Sequence, residues 1–203
     1  STLTGFKWIA KLIEDFPDLE FIGGGEESFG FLIGDSVRDK DAISASLLAC
    51  EIANEALKNG SSFFDLLIKC YKKYGLYKEK LISITKKGKS GSEYIAEQMK
   101  NLRDNPPKIL GGSPVIILED YLKLKTYNFH LKEEKPLLHN SSNVLIFKLE
   151  DNSKIALRPS GTEPKIKYYF SVNRKFDSKL SWNDQEKLLE KRLKELSSAI
   201  LAQ

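Results

Sequence analysis

Two cysteines, Cys50 and Cys70, leave the 203-residue chain without a disulfide framework to read. Both fall in segments of helical spacing and lack the spacing of a metal site. They are expected to be small buried hydrophobes in a reducing compartment, with the cytoplasm as the location. Long apolar runs are also absent. No stretch approaches the ~20 residues that cross a bilayer, and Ser1 to Ala10 lacks the basic, apolar, small-residue order of a secretory signal. No membrane partner is expected. Charge of one sign is scarce as well: 32 Lys and Arg stand against 28 Asp and Glu, a net charge of +4 mixed along the chain. That balance is compatible with an anionic substrate and too slight to indicate nucleic acid. There is no internal repeat and no low-complexity segment.

What remains is an ordinary globular composition, 41% hydrophobic and 30% charged, in a chain long enough for one large domain or two small ones. The first third reads as α/β. Glu20 to Ile22 is expected as a short strand leading into Gly23-Gly24-Gly25, and Phe31 to Ile33 as extended structure beyond that loop. Asp41 opens a helix reaching about Lys58, with Ile43, Leu47, Leu48, Ile52, Ala56 and Leu57 on a broad apolar face and Gly60 as its C′ residue. Ser61 and Ser62 can cap a second helix that Gly75 stops, and the two helices should be packed neighbours.

From about Tyr77 the pattern changes. Lys80 to Thr85 reads as a strand, Lys86 to Gly91 as a basic turn, and Ser92 as the cap of a helix that turns Ile95, Met99 and Leu102 inward and ends before Pro106-Pro107. Val115 to Leu118 reads as a strand and 132–143 as a polar surface loop. Val144 to Leu149 and Lys154 to Leu157 form a hairpin about Asp151-Asn152. Lys165 to Val172 alternates strictly, with Ile166, Tyr168, Phe170 and Val172 on the face expected to be buried. A closing helix from Trp182 carries a stripe of Leu189, Leu193, Leu196 and Ile200. The expected architecture is a partial α/β domain over 1–77, followed over 78–203 by an α+β domain with helices on one face of an antiparallel sheet.

Two loops carry chemistry. Gly23 to Gly30 holds four glycines, the acids Glu26 and Glu27, and Ser28. Carboxylates accept strongly from vicinal hydroxyls and repel phosphate, so this loop suits a sugar. It reads equally as a Gly-rich turn with solvated acids. Arg158-Pro159-Ser160-Gly161-Thr162-Glu163-Pro164 joins two strands and offers a guanidinium fork, two hydroxyls and a glycine N–H, the parts of a phosphate cradle. Lys165 and Lys167 add positive potential. The alternative is a plain hairpin turn in which Pro and Gly serve geometry. Nucleic-acid binding would rest on Tyr168, Phe170, Lys165 and Lys167, but the two rings fall on the face expected to be buried.

These loops, in this order, resemble the alpha-D-phosphohexomutase family, the phosphoglucomutases and phosphomannomutases. The Arg158–Pro164 run resembles the phosphate-binding loop of that family's fourth domain, and Gly25 to Ser28 the sugar-binding loop of its third. Thr2 to Ile9 resembles another third-domain loop, and Val37 to Asp41 the basic segment of the phosphoglucomutase branch. The resemblance implies that residues 1–77 are the C-terminal part of domain 3 and 78–203 are domain 4. Thr4, Gly5, Glu26 and Ser28 would then meet the sugar. Arg158, Ser160, Gly161 and Thr162 would hold the phosphate that is not transferred. Arg38 and Lys40 would face the reacting groups, with Lys40 the better candidate for positioning or proton transfer, unless both are a solvated patch opening a helix.

In such enzymes a phosphoserine gives its phosphoryl group to a hexose phosphate, and the resulting 1,6-bisphosphate reorients before returning the other. Mg²⁺ and glucose 1,6-bisphosphate are therefore implied for the full-length enzyme, and no metal ligand is expected among these residues. Some mutases carry His where Gly30 stands here. No Ser-His-Asn-Pro phosphoserine loop and no Asp-Gly-Asp metal loop occurs in the chain. The resemblance thus implies a fragment that supplies recognition, is inactive alone, and takes the N-terminal domains of the same protein as its partner. A non-catalytic sugar-phosphate-binding module is the alternative.

Overall fold

In the computed structural model, which describes residues 5–26, 29–86 and 88–203 and the backbone alone of Lys89, a helix precedes the first strand. Helix α1 (Phe6–Asp15) buries Phe6, Ile9 and Ile13, an i, i+3, i+7 stripe, against Leu32 and Phe21. Strands β1 (Gly23–Gly25) and β2 (Phe31–Ile33) pair antiparallel with Gly24 opposite Leu32. The expected strand at Glu20 to Ile22 is corrected by this register: the three glycines do the pairing and Ile22 is exposed. Helix packing explains the choice, since a Cβ on Gly24 would sit 3.1 Å from two Ile9 carbons.

Helix α2 (Ala42–Lys58) starts where Asp41 accepts the Ile43 and Ser44 N–H groups at 3.0 and 3.3 Å, and it ends before Gly60 at φ 63°. Helix α3 (Phe63–Tyr74) is opened by a reciprocal exchange: Ser62 N–H donates to Asp65 and Asp65 N–H donates to the Ser62 hydroxyl. The broad apolar face expected of α2 is not a core within this unit. Ala56 is buried while Ile43 is 83% and Leu57 72% exposed, and Ile52 and Ala56 face Leu66 and Lys69 across an open groove. Cys50 and Cys70 are exposed rather than buried, because they lie on helix faces that nothing in the unit covers.

The chain divides into two compact units, Ser1–Cys70 and Tyr71–Gln203. The last turn of α3 belongs with the second unit, where Tyr71 stacks on Trp182 at 5.4 Å. That unit contains β3 (Leu76–Thr85), α4 (Gly88–Asp104), β4 (Ile109–Leu110), β5 (Ser113–Asp120), β6 (Lys125–Asn128), β7 (Glu133–Pro136), β8 (Leu145–Leu149), β9 (Lys154–Pro159), β10 (Lys165–Arg174) and α5 (Trp182–Leu201). Its sheet is antiparallel in the order β3-β10-β9-β8-β5-β6-β7, with β4 paired to β5.

Helix α4 begins at Gly88, ahead of the expected cap at Ser92. Gly91 permits this, since a Cβ there would lie 2.3 Å from the Lys86 carbonyl oxygen. The expected surface loop at 132–143 contains β7, an exposed edge strand of Glu133, Glu134, Lys135 and Pro136, residues that discourage further pairing.

The core of the second unit lies between one sheet face and both helices. Ile166, Tyr168, Phe170 and Val172 of β10 are buried together with Ile95, Met99 and Leu102 of α4 and Leu189, Leu193, Leu196 and Ile200 of α5. At about 1.5–3 kcal/mol per fully buried large apolar side chain, this cluster is what orders the unit. A buried ion pair ties α4 to the sheet: Arg103 Nε donates to both Asp120 oxygens at 3.1 and 3.0 Å, and Asn143 accepts from its Nη2 at 2.8 Å. Tyr168 and Phe170 are enclosed here and are not available to stack on bases.

The Tyr168 hydroxyl donates to Gln98 at 3.0 Å. Burial, with a contribution from Tyr94, pushes its pKa up to about 12. A phenol whose folded pKa exceeds its unfolded value of ~10 adds stability that is complete below pH ~10 and is lost as pH rises toward ~12. Denaturation midpoints of the wild type should therefore fall across that window. Tyr168→Phe should flatten the fall, and an equal slope in the variant would remove Tyr168 as its cause.

Candidate functional site

The loop between β9 and β10 follows from their register. Arg158 is directly opposite Lys167 and Pro159 opposite Ile166, and the chain returns over Ser160 to Pro164. Ser160 N–H donates to the Lys165 carbonyl at 2.7 Å, and Lys165 N–H to the Glu163 carbonyl at 2.7 Å. The Ser160 hydroxyl oxygen accepts from the Thr162 and Glu163 N–H groups at 3.4 and 3.3 Å, long bonds that shape the turn without locking it. Lys86 N–H donates to the Pro164 carbonyl at 2.9 Å, fastening the loop to the end of β3.

The loop frames a concavity of about 300 Å³ lined by Arg158, Ser160, Gly161, Thr162, Glu163, Lys165 and Lys167. The alternation that buries Ile166 and Tyr168 puts Lys165 and Lys167 on the opposite face of β10, beside Arg158. Like charges directly opposite across a strand pair are destabilising by several tenths of a kcal/mol to about 1 kcal/mol. No carboxylate among the described residues forms an ion pair with Arg158, Lys165 or Lys167. Gly161 has open space where a Cβ would be, and its φ is outside the left-handed region, so neither sterics nor backbone strain requires glycine there.

In the first unit, three segments meet at the start of α1. Gly5 is its N-cap at φ 117° and ψ 133°. Glu26 N–H donates to the Gly30 carbonyl at 2.9 Å, closing the β1–β2 hairpin, and Asp41 N–H donates to the Phe31 carbonyl at 2.9 Å. Lys40 reaches back across this corner. Its Nζ lies 2.7 Å from Asp39 and 4.8 Å from the centroid of the Phe6 ring. The hydrogen bond to Asp39 holds the Lys40 pKa above its ordinary value against desolvation, and the charges of Asp39 and Glu26 add to it. Asp39 is correspondingly held below the usual carboxylate range by Lys40.

The structure thus brings together Gly5, Glu26 and Lys40 in one unit, and Arg158, Ser160, Gly161 and Thr162 in the other. Arg38 is exposed on the preceding turn, and Thr4 and Ser28 lie outside the described residues. Sequence reasoning missed Phe6 and Gly30 as neighbours of Lys40. The apolar spacing of α1 was the one available signal.

The chain is similar to known proteins over most of its length. Residues 1–74 match the family model for phosphoglucomutase/phosphomannomutase, alpha/beta/alpha domain III. A phosphoglucomutase of Staphylococcus haemolyticus (strain JCSC1435) is 38% identical over 172 residues, and one of Staphylococcus aureus (strain MSSA476) is 41% identical over 177. The chain belongs to the phosphoglucomutase/phosphomannomutase family. These alignments cover 84% and 86% of the chain but 31% and 32% of the relatives, so the chain spans about a third of their length. A solved structure of pp63/parafusin from Paramecium, described as a phosphoglucomutase in its open form, superposes with a TM-score of 0.59 at 19% identity. It covers 93% of the chain and 32% of that protein, and supports the fold alone. Among the described residues no three His, Cys, Asp or Glu side chains come together as metal ligands. No helix among them is long and apolar enough to cross a membrane.

The unexplained glycine of the loop between β9 and β10 provides a test. Gly161→Ala should leave the stability unchanged, or raise it by about 0.4–1 kcal/mol as a compatible Gly-to-Ala change does. It should weaken inorganic phosphate or sulfate binding, read by chemical-shift titration. A large loss of stability with unchanged anion affinity would assign Gly161 to the fold instead.

Proposed function

We propose that this chain is the sugar- and phosphate-recognising part of a hexose-phosphate mutase. Residues 1–77 would serve as the C-terminal part of the family's domain 3 and 78–203 as its domain 4. The observation that carries this reading is the concentration of Arg158, Lys165 and Lys167 on the wall of one concavity with hydroxyl donors and an open glycine. Such an arrangement costs stability while empty and recovers it when an anion is bound. A phosphate ester fits best: Arg158 supplies a bidentate fork, Ser160 and Thr162 supply neutral donors, and the Gly161 backbone allows close approach.

Glu26, with Thr4, Gly5 and Ser28, would hold the sugar hydroxyls. Lys40 and Arg38 would face the reacting end of the substrate. Because Lys40 is held protonated, it suits donating to a developing oxyanion or stabilising it more than it suits removing a proton. In the full-length protein, a phosphoserine outside these residues would give its phosphoryl group to a hexose 1- or 6-phosphate. A 1,6-bisphosphate would then reorient and return the other group. Any Mg²⁺ would be held by residues beyond those described, and the chain alone would be inactive.

The full-length protein assayed with glucose and mannose phosphates tests the reading. Arg158→Ala should raise KM about ten- to a hundredfold, the worth of a charged hydrogen-bond pair of about 1.5–3 kcal/mol. Glu26→Gln should weaken hexose-phosphate binding and leave inorganic phosphate affinity alone. Unchanged KM and kcat in Arg158→Ala would end the assignment. Binding without turnover in the full-length wild type would favour a non-catalytic sugar-phosphate module.

A further inference from the structure

Gly30 is buried at the end of the hairpin, and the space where its side chain would stand is filled. A Cβ built on Gly30 would lie 2.7 Å from Lys40 Cδ, 2.8 Å from Lys40 Cγ and 3.0 Å from Phe6 Cε2. Its φ is not in the left-handed region, so backbone conformation does not demand glycine. The demand comes from the lysine stem. The stem passes the Gly30 position with its Cγ and Cδ and delivers the ammonium over the Phe6 ring at 4.8 Å, with Asp39 at 2.7 Å. Gly30 itself is fixed from the other side, because its carbonyl accepts the Glu26 N–H at 2.9 Å.

We propose that Gly30 is a positioning residue for Lys40: the side chain it lacks is the slot in which the Lys40 stem lies, so the hairpin that carries Glu26 also aims the Lys40 ammonium. This deepens the reading of the sugar site given above and rests on it for the part Lys40 plays in turnover. The steric half stands independently. A side chain at position 30 and a stem at position 40 exclude one another, and the contacts to Phe6 and Asp39 hold the ammonium only while the slot is empty. A methyl group there does not reach the ammonium or the substrate. It acts only by lifting the stem away from the ring.

Three variants of the full-length protein test this: Gly30→Ala, Lys40→Ala and the pair together. In Gly30→Ala, limited acylation read by peptide mass spectrometry should modify Lys40 about two- to fivefold faster relative to the other lysines, the loss of one exposed cation–π contact. The kcat on hexose phosphate should fall toward that of Lys40→Ala with KM little changed, and adding Gly30→Ala to Lys40→Ala should cost nothing more. If Gly30→Ala folds poorly, the double variant should melt above it, because removing the stem removes the two closest contacts and leaves only Phe6 Cε2 at 3.0 Å. An unchanged Lys40 labelling rate in a folded Gly30→Ala would overturn the proposal, as would an additive loss of kcat or a double variant that melts below Gly30→Ala. The labelling and melting arms need no turnover, so they test the slot even in a protein that proves not to be a mutase.

Discussion

A β-strand shows each face only every second side chain, and in β10 that restriction is met without exception from Lys165 to Val172. Ile166, Tyr168, Phe170 and Val172 must then go to the helices, and Lys165 and Lys167 must go to the other side, where Arg158 of β9 is the register partner of Lys167. The core and the proposed anion site are two faces of one strand. A slip of one residue would bury the lysines and expose the aromatics together, so the burial that stabilises the unit also determines where the cations stand.

The position of the cations has a local cost. Like charges gather at one end of the sheet, while ion pairs elsewhere in the same unit are matched, as in Arg103 with Asp120, Lys78 with Glu186 and Glu190, and Arg192 with Asp151. A chain able to pair its charges in those places leaves Arg158, Lys165 and Lys167 together on one wall, and the proposed anion site rests on that contrast. Glu163 on the same wall limits the net field, which favours a ligand recognised by hydrogen-bond geometry over bulk charge attraction.

Features with a local cause were legible in the sequence. The alternation of β10, the inward stripes of α4 and α5, the Asp41 cap and the Gly60 terminus each follow from neighbours within a few residues. What carried no periodic or capping signal was not. The start of α4 turns on how Gly91 meets the Lys86 carbonyl, and β7 has four exposed residues with no alternation to betray it. The apolar spacing of α2 showed that a face exists and could not show whether anything covers it. The same division holds for the sites. The Arg158–Pro164 loop is contiguous and could be read directly, whereas the corner around Lys40 joins residues from α1, the hairpin and the turn before α2.

Under the proposed function, that corner and the Arg158 loop differ in what each would accept. A carboxylate at Glu26 accepts from hydroxyls and repels a phosphate dianion, while the Arg158 loop attracts the dianion and offers a sugar little beyond ordinary hydrogen bonds. Lys40 is the exception on the sugar side, a cation beside an acidic hairpin. Left mobile, it would pair with Glu26 and cancel the distinction, or draw phosphate to the wrong place. Its stem lies against the Gly30 backbone, its ammonium is over the Phe6 ring, and its charge is engaged by Asp39, which separates it from both outcomes. Restraining that lysine lets acid and base stand side by side in this corner, as the proposed sugar-binding role would require.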